Sequence, residues 1–257
     1  QQMGKKAPVA LRVNPDIAAD THPYISTGLK ENKFGIDIKS AFEIYQYANN
    51  LTGINIHGIA CHIGSQITDL NTFKGLCLRI NEIQNWFYER QIIVNHINVG
   101  GGLGIDYENP QQNPIPNFKT FFKLFNDFLE LRPQQQLHFE LGRSIVGQCG
   151  ALISKVLYVK KGVNTNFAII DAGMTELIRP ALYQAVHSIN NLTSNSEKLD
   201  RYDVVGPICE SSDCFAKALT LPTTKRGDII AIQSCGAYGE VMASQYNLRD
   251  LVKAIYL

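Results

Sequence analysis

Ile92-Ile93-Val94-Asn95-His96-Ile97-Asn98-Val99-Gly100-Gly101-Gly102-Leu103-Gly104 is an apolar, strand-like run that breaks into a glycine loop. It decides the fold because it recurs in kind: Gly53 to Ile59 runs on into His62-Ile63-Gly64-Ser65-Gln66, and Leu137 to Glu140 into Leu141-Gly142-Arg143. Between these runs lie helical patterns. From Asp69 to Arg90 the residues Phe73, Leu76, Ile80, Ile83 and Phe87 recur at three- and four-residue steps, the mark of a helix that buries one face. Phe118, Phe121, Phe122, Phe125 and Leu129 mark another, closed by Pro133. Strands near residues 56, 96 and 138 thus alternate with helices at a spacing of about 40 residues, as in a parallel sheet built from right-handed crossovers. The pattern fits half of a (β/α) barrel or a doubly wound sheet.

Working outward, Val9 to Val13 reads as an earlier buried strand ended by Asn14-Pro15-Asp16, residues 16–35 as a long polar loop, and Ser40 to Asn50 as a helix. Beyond Arg143 the pattern changes. Ala151 to Lys161 and Phe167 to Ala172 are Val- and Ile-rich strands without intervening helices, Asp203 to Val205 and Asp228 to Gln233 look similar, and Asn190 to Arg201 reads as an exposed loop. The expected division is 1–145, the later part of a barrel, and 146–257, a mainly β domain of sandwich or barrel type.

Composition removes several classes of function. The net charge of +1 and pI near 7.8 give no broad basic field for a nucleic-acid backbone, so no nucleic-acid partner is expected. No apolar run reaches the roughly 18 residues that span a bilayer, and the polar start Gln1 to Lys6 lacks a signal-peptide core. The six cysteines form no CxxC pairs, which argues against zinc and suits a reducing cytoplasm. His57 and His62 stand at an odd offset, on opposite faces of a strand, so they do not share a metal, and none is expected.

The strand ends carry the chemistry. The loop Gly100, Gly101, Gly102 leaves backbone N–H groups open to an anion, although Ile105 breaks the dinucleotide fingerprint. His62 offers a flat imidazole, Ser65 a hydroxyl, Glu140 a carboxylate at a strand end, and Arg143 a guanidinium for a carboxylate or phosphate. Each taken singly also fits a structural role: a tight turn, a satisfied core histidine, an ion pair. Further on, Cys209-Glu210-Ser211-Ser212-Asp213 follows Gly206-Pro207-Ile208, a turn that would deliver a thiol and two carboxylates together; a thiol can give a proton to carbon and a carboxylate can read an ammonium. Arg179 and Tyr183 could hold a substrate carboxylate, and Tyr238, in Gly236-Ala237-Tyr238-Gly239, could reach a phosphate.

Taken together and in this order, HIGSQ at 62–66, GGGLG at 100–104, E-x-GR at 140–143, RPALY at 179–183, GPICESSD at 206–213 and GAYG at 236–239 resemble the diaminopimelate decarboxylase family of fold-type III, alanine-racemase-like pyridoxal-phosphate enzymes. The likeness begins with Ala10 to Pro15 and Gly28 to Gly35. It implies a (β/α) barrel joined to a β domain, in a cytoplasmic homodimer with shared active sites. It further implies pyridoxal 5'-phosphate as cofactor and the decarboxylation of meso-2,6-diaminopimelate to L-lysine. Ornithine, arginine or carboxynorspermidine are the alternative substrates, and a non-catalytic, partner-binding subunit is an alternative of another class.

By this resemblance His62 stacks on the pyridine ring, while Ser65, Gly100, Gly101, Gly102, Gly142 and Arg143 hold the phosphate end. Glu140 faces the ring nitrogen. Arg143, Arg179 and Tyr183 bind the substrate carboxylate, Glu210 its distal ammonium, Cys209 from the partner subunit protonates Cα, and Tyr238 contacts cofactor and substrate. Leu141 stands where the family has proline, a change of local stiffness alone. The family's cofactor-tethering lysine belongs to an upstream barrel strand, and neither Lys5, Lys6 nor Lys33 occupies that motif. With only about four or five strands before the β domain where a barrel needs eight, and a strand-like stop at Tyr256-Leu257, the expectation is a piece of a longer polypeptide, inactive by itself.

Overall fold

The structure, a computed structural model, describes residues 3–17 and 33–257. Most of the polar loop expected at 16–35, with Gly28 to Asn32, lies outside the described residues. The chain divides into two compact units, residues 1–104 with 117–142, and residues 105–116 with 143–257. The segment Ile105–Pro116 therefore packs with the second unit, where the strand-helix rhythm had assigned it to the first.

The first unit is a four-stranded parallel sheet, β1 (Ala7–Arg12), β2 (Ile54–Ala60), β3 (His96–Asn98) and β4 (Gln136–His138), in that spatial order. A helix connects each successive pair: α1 (Ile38–Asn49), α2 (Leu70–Glu89) and α3 (Phe118–Phe128). Each starts at a side chain that accepts a hydrogen bond from an otherwise unpaired N–H: Asp37 from Lys39 at 2.7 Å, Asp69 from Asn71 at 2.9 Å, and Asn117 from Thr120 at 3.0 Å. The helical spacing read from the sequence is the buried face of α2, with Phe73, Leu76, Ile80, Ile83 and Phe87 inward. These meet Ile59 and Ile97, partners in register on neighbouring strands, and Phe121 and Phe125 of α3. Phe73 sets its ring edge against Phe121 with centroids 5.0 Å apart.

β3 and β4 are shorter than their apolar runs suggest. Ile92 and Val94 are buried ahead of β3 without joining its ladder, so hydrophobicity there records packing under α2 and not strand pairing.

The second unit is a six-stranded sheet of β5 (Leu152–Lys161), β6 (Asn166–Ile170), β7 (Ile189–Asn191), β8 (Leu199–Val205), β9 (Cys214–Pro222) and β10 (Ile229–Ile232). The spatial order is β7-β10-β5-β6-β8-β9, antiparallel throughout except for β6 beside β8. Its two edges come close: Asn191 Nδ2 donates to Thr224 Oγ1 at 3.0 Å and Ser194 Oγ to the Thr223 carbonyl at 2.7 Å, so the sheet is nearly closed. Val156, Ile170, Val204, Phe215, Ile230 and Ile232 form the core. Two one-turn helices, α4 (Arg143–Val146) and α5 (Arg179–Tyr183), stand beside it. The fold class is as expected, a partial parallel barrel sheet and a β unit.

Two local expectations fail and one strand was missed. The region 190–201 is not wholly loop, because β7 ends in it and β8 begins in it. β9 was not legible: Ala218 at φ +53 and register shifts against β8 break the alternation that marks a strand. Residues 249–257 form no strand. Among the described residues no helix is long and apolar enough to cross a membrane.

Candidate active site

In the first unit, Arg12, Ala60, Asn98 and His138 are partners in register across the sheet. Side chains in a strand repeat every second residue, so His62, Gly100 and Glu140, each two positions further on, fall at the carboxyl ends of the strands and on that same face. Backbone hydrogen bonds carry the alignment past the strands: Val99 N donates to the His138 carbonyl at 3.1 Å and Glu140 N to the Gly100 carbonyl at 2.8 Å.

The glycines let these ends close on one another. Gly100 and Gly102 adopt left-handed φ of +70° and +103°. A Cβ at Gly100 would lie 2.6 Å from the Cys61 carbonyl and 2.7 Å from His62 Nδ1, and one at Gly102 would lie 2.6 Å from the Gly64 carbonyl. At Gly101 it would overlap the Glu140 carbonyl. The loop carrying half-buried Ser65 is tied to the glycine loop by Ile67 N to the Gly102 carbonyl and Gly104 N to the Ile67 carbonyl, both 2.9 Å. Gly142 is open, with nothing near its missing Cβ.

Asn98, which the sequence reading passed over, joins two parts of this cradle. Its Nδ2 donates to Glu140 Oε1 at 2.8 Å, and its Oδ1 accepts from Gly100 N at 2.8 Å. The signal was available: Asn98 shares the parity of Gly100 and Glu140. His62 Nδ1 accepts from Gly101 N at 3.3 Å, which leaves the proton of the neutral ring on Nε2. Burial, with the nearby Arg12 charge, pushes the His62 pKa down against the opposing pull of Glu140. The site therefore presents a flat, neutral imidazole. Arg12 adds two buried nitrogens, Nε and Nη2, with no hydrogen-bond partner.

The second unit gathers a different set around Tyr107, a residue the sequence gave no reason to single out. Arg143, buried at the start of α4, donates Nη1 to Tyr107 Oη, and its Cζ lies 4.6 Å from the Tyr238 ring centroid. Arg179, buried at the start of α5, lies with Cζ 4.4 Å from the Tyr107 centroid, and Tyr183 ends the same helix. Arg143, Arg179 and Tyr238 are thus brought together.

The turn at 206–213 separates its two carboxylates, which the sequence reading had expected side by side. Asp213 points inward, its Oδ1 accepting from Met174 N at 2.6 Å and its Oδ2 from Ile208 N at 2.7 Å, while burial raises its pKa. Cys209 and Glu210 remain exposed, with Glu210 Oε1 accepting from the Tyr246 hydroxyl at 2.6 Å.

Residues 1–147 match the family model described as the pyridoxal binding domain of pyridoxal-dependent decarboxylases. The chain is 57% identical to the diaminopimelate decarboxylase of Bacteroides thetaiotaomicron, over 97% of this chain and 64% of that one. It is 44% identical to the enzyme of the same name from Vibrio cholerae, over 99% of this chain and 60% of that one. The crystal structure of diaminopimelate decarboxylase from Helicobacter pylori complexed with L-lysine superposes with a TM-score of 0.87 at 43% identity, covering 96% of this chain and 61% of that one. The chain spans roughly 60% of the length of these curated relatives.

The first unit fits the family's cofactor. Its glycine cradle is of a kind any Cβ would fill, it carries a neutral imidazole and a carboxylate on one sheet end, and Arg12 holds unpartnered buried nitrogens suited to an anionic group. On the match over residues 1–147 and this cradle together, the chain belongs to the pyridoxal-dependent decarboxylase family.

Proposed function

We propose that this chain supplies cofactor- and substrate-binding residues of a cytoplasmic, homodimeric enzyme that decarboxylates meso-2,6-diaminopimelate to L-lysine. The observation that carries the reading is the meeting of His62, the Gly100–Gly102 loop and Glu140 at the carboxyl ends of three adjacent parallel strands. Pyridoxal 5'-phosphate, when bound, supplies a ring that takes up the electron pair left on Cα as CO₂ departs. The residues present divide the remaining work. His62 lends its neutral face to the ring, and Ser65, Gly100, Gly101, Gly102, Gly142 and Arg143 bind the phosphate. Glu140, steadied by Asn98, keeps a proton at the ring nitrogen.

Arg143, Arg179 and Tyr183 take the substrate carboxylate remote from the reacting carbon, Tyr238 borders cofactor and substrate, and Glu210 reads the distal ammonium. Cys209, acting across the dimer, returns a proton to Cα. The paired guanidiniums around Tyr107 favour diaminopimelate over ornithine, because ornithine has no distal carboxylate to engage them. The test is CO₂ release by the complete protein with added cofactor, from meso-diaminopimelate and from L-ornithine in parallel. Diaminopimelate is expected to turn over faster. Preference for ornithine would sink the substrate assignment, and no release from either would favour a non-catalytic, partner-binding subunit.

A further inference from the structure

Arg179 is held by a residue with no place in the scheme above. Its Nη1 lies 2.8 Å from His187 Nε2, and both residues are 4% exposed. A guanidinium can only donate, so Nε2 accepts. On its other side, His187 Nδ1 lies 2.8 Å from the Gln233 carbonyl oxygen, which can only accept, so Nδ1 carries the proton. The two contacts together require a neutral imidazole of one tautomer. The carbonyl that sets it is placed by backbone: Gln233, directly after β10, donates its N–H to the Ser188 carbonyl at 2.9 Å, just before β7. Tyr107 packs its ring against both partners, 4.9 Å from the His187 ring at 70° and 4.4 Å from Arg179 Cζ.

This arrangement leaves Arg179 Nε buried and without a hydrogen-bond partner, a donor that waits for an acceptor. An unrestrained arginine loses about 2 kcal/mol of rotamer freedom when it binds an anion; one already held by an imidazole and a phenol ring has surrendered most of it beforehand.

We infer that His187 is a positioning residue, which aims the Arg179 guanidinium at the distal carboxylate of the substrate. The inference rests on the function proposed above. Burial and the neighbouring charges of Arg179 and Arg143 hold the His187 pKa down to about 4, so the acceptor is in place throughout the neutral range.

Two variants of the complete protein test this. His187→Gln keeps an acceptor at the reach of Nε2, and His187→Asn withdraws it by one methylene. In His187→Asn the KM for meso-diaminopimelate is expected to rise on the order of tenfold, with kcat and the absorbance of bound cofactor little changed, as loss of one charge-assisted hydrogen bond would give. In His187→Gln it should stay within about twofold of the parent, since the acceptor is retained. Equal KM in the two variants, or a fall in kcat at constant KM, would overturn the inference. So would failure of both to fold, by circular dichroism, which would make His187 a purely structural residue. Calorimetric binding of pimelate, a dicarboxylate of the same length, should weaken by the same factor in His187→Asn. If the parent protein does not turn over diaminopimelate, the functional reading fails and pimelate binding judges His187 by itself; absence of pimelate binding to the parent would end both.

Discussion

Gly101 is the residue on which the cradle depends most directly. Its Cα faces the Glu140 carbonyl so closely that even a methyl group would overlap it, and the same carbonyl belongs to the residue whose carboxylate Asn98 holds. Gly101→Ala must therefore displace either the glycine loop or the end of β4, and each carries part of the proposed cofactor site. Overpacking of this kind costs about 1–3 kcal/mol. The expected outcome is a loss of stability in that range together with loss of the visible absorbance of bound cofactor; a variant that keeps full cofactor absorbance would show that the loop does not form the cradle. The glycine loop, His62 and Glu140 were legible because each ends an apolar run. Asn98 and His187 were not, since what a polar residue does depends on partners distant in sequence: Glu140 lies 42 residues from Asn98, and Gln233 lies 46 from His187.

Among the elements, α2 shows a sequence that is not optimised for its own structure. It is the longest helix described, capped by Asp69 and anchored by six buried apolar side chains, yet it carries a glycine in its interior. Gly75 has open space where its Cβ would be. In a helix interior glycine is about 0.5–1 kcal/mol worse than alanine, because the unfolded chain loses more freedom on folding. Gly75→Ala should thus stabilise the protein by that amount in urea unfolding, with an unchanged denaturant slope; destabilisation would mean that this helix face has a partner the described residues do not show. The helices were readable because a period of three and four residues over twenty positions survives local irregularity. Some strands were not. β9 loses its alternation at Ala218, and Ile92 and Val94 before β3 owe their place to burial beneath α2 rather than to pairing.

At the scale of the whole molecule, the two units have separate apolar cores, and titratable groups act on the stability of the unit that buries them. His187 is the group whose effect on pH-dependent stability is best defined. It is faced by Arg179 from α5, by Tyr107 and Arg143, and by Cys235 Sγ at 4.0 Å, whose own pKa burial pushes up to about 11. Burial, with the Arg179 and Arg143 charges, outweighs the Gln233 carbonyl, which accepts from Nδ1 and favours the imidazolium, and the folded-state pKa falls from 6.5 to about 4. In the unfolded chain the ring takes up a proton as pH drops through 6.5, while in the folded protein it stays neutral until about 4. The unfolded state binds more protons across this window, so stability is fully present above it, declines as pH falls through it and levels off below it. The shift corresponds to about 3 kcal/mol. His187→Gln removes the titration while keeping an acceptor for Arg179, so the decline specific to the parent protein should disappear in the variant. The readout is the difference in hydrogen-exchange protection of the β10 amides Ile230 and Ile232 between parent and variant, followed from neutral pH down to about 4. A difference that narrows with acidification by about 3 kcal/mol is expected, and parallel curves would mean that His187 titrates alike in the folded and unfolded protein, with no depression of its pKa by burial.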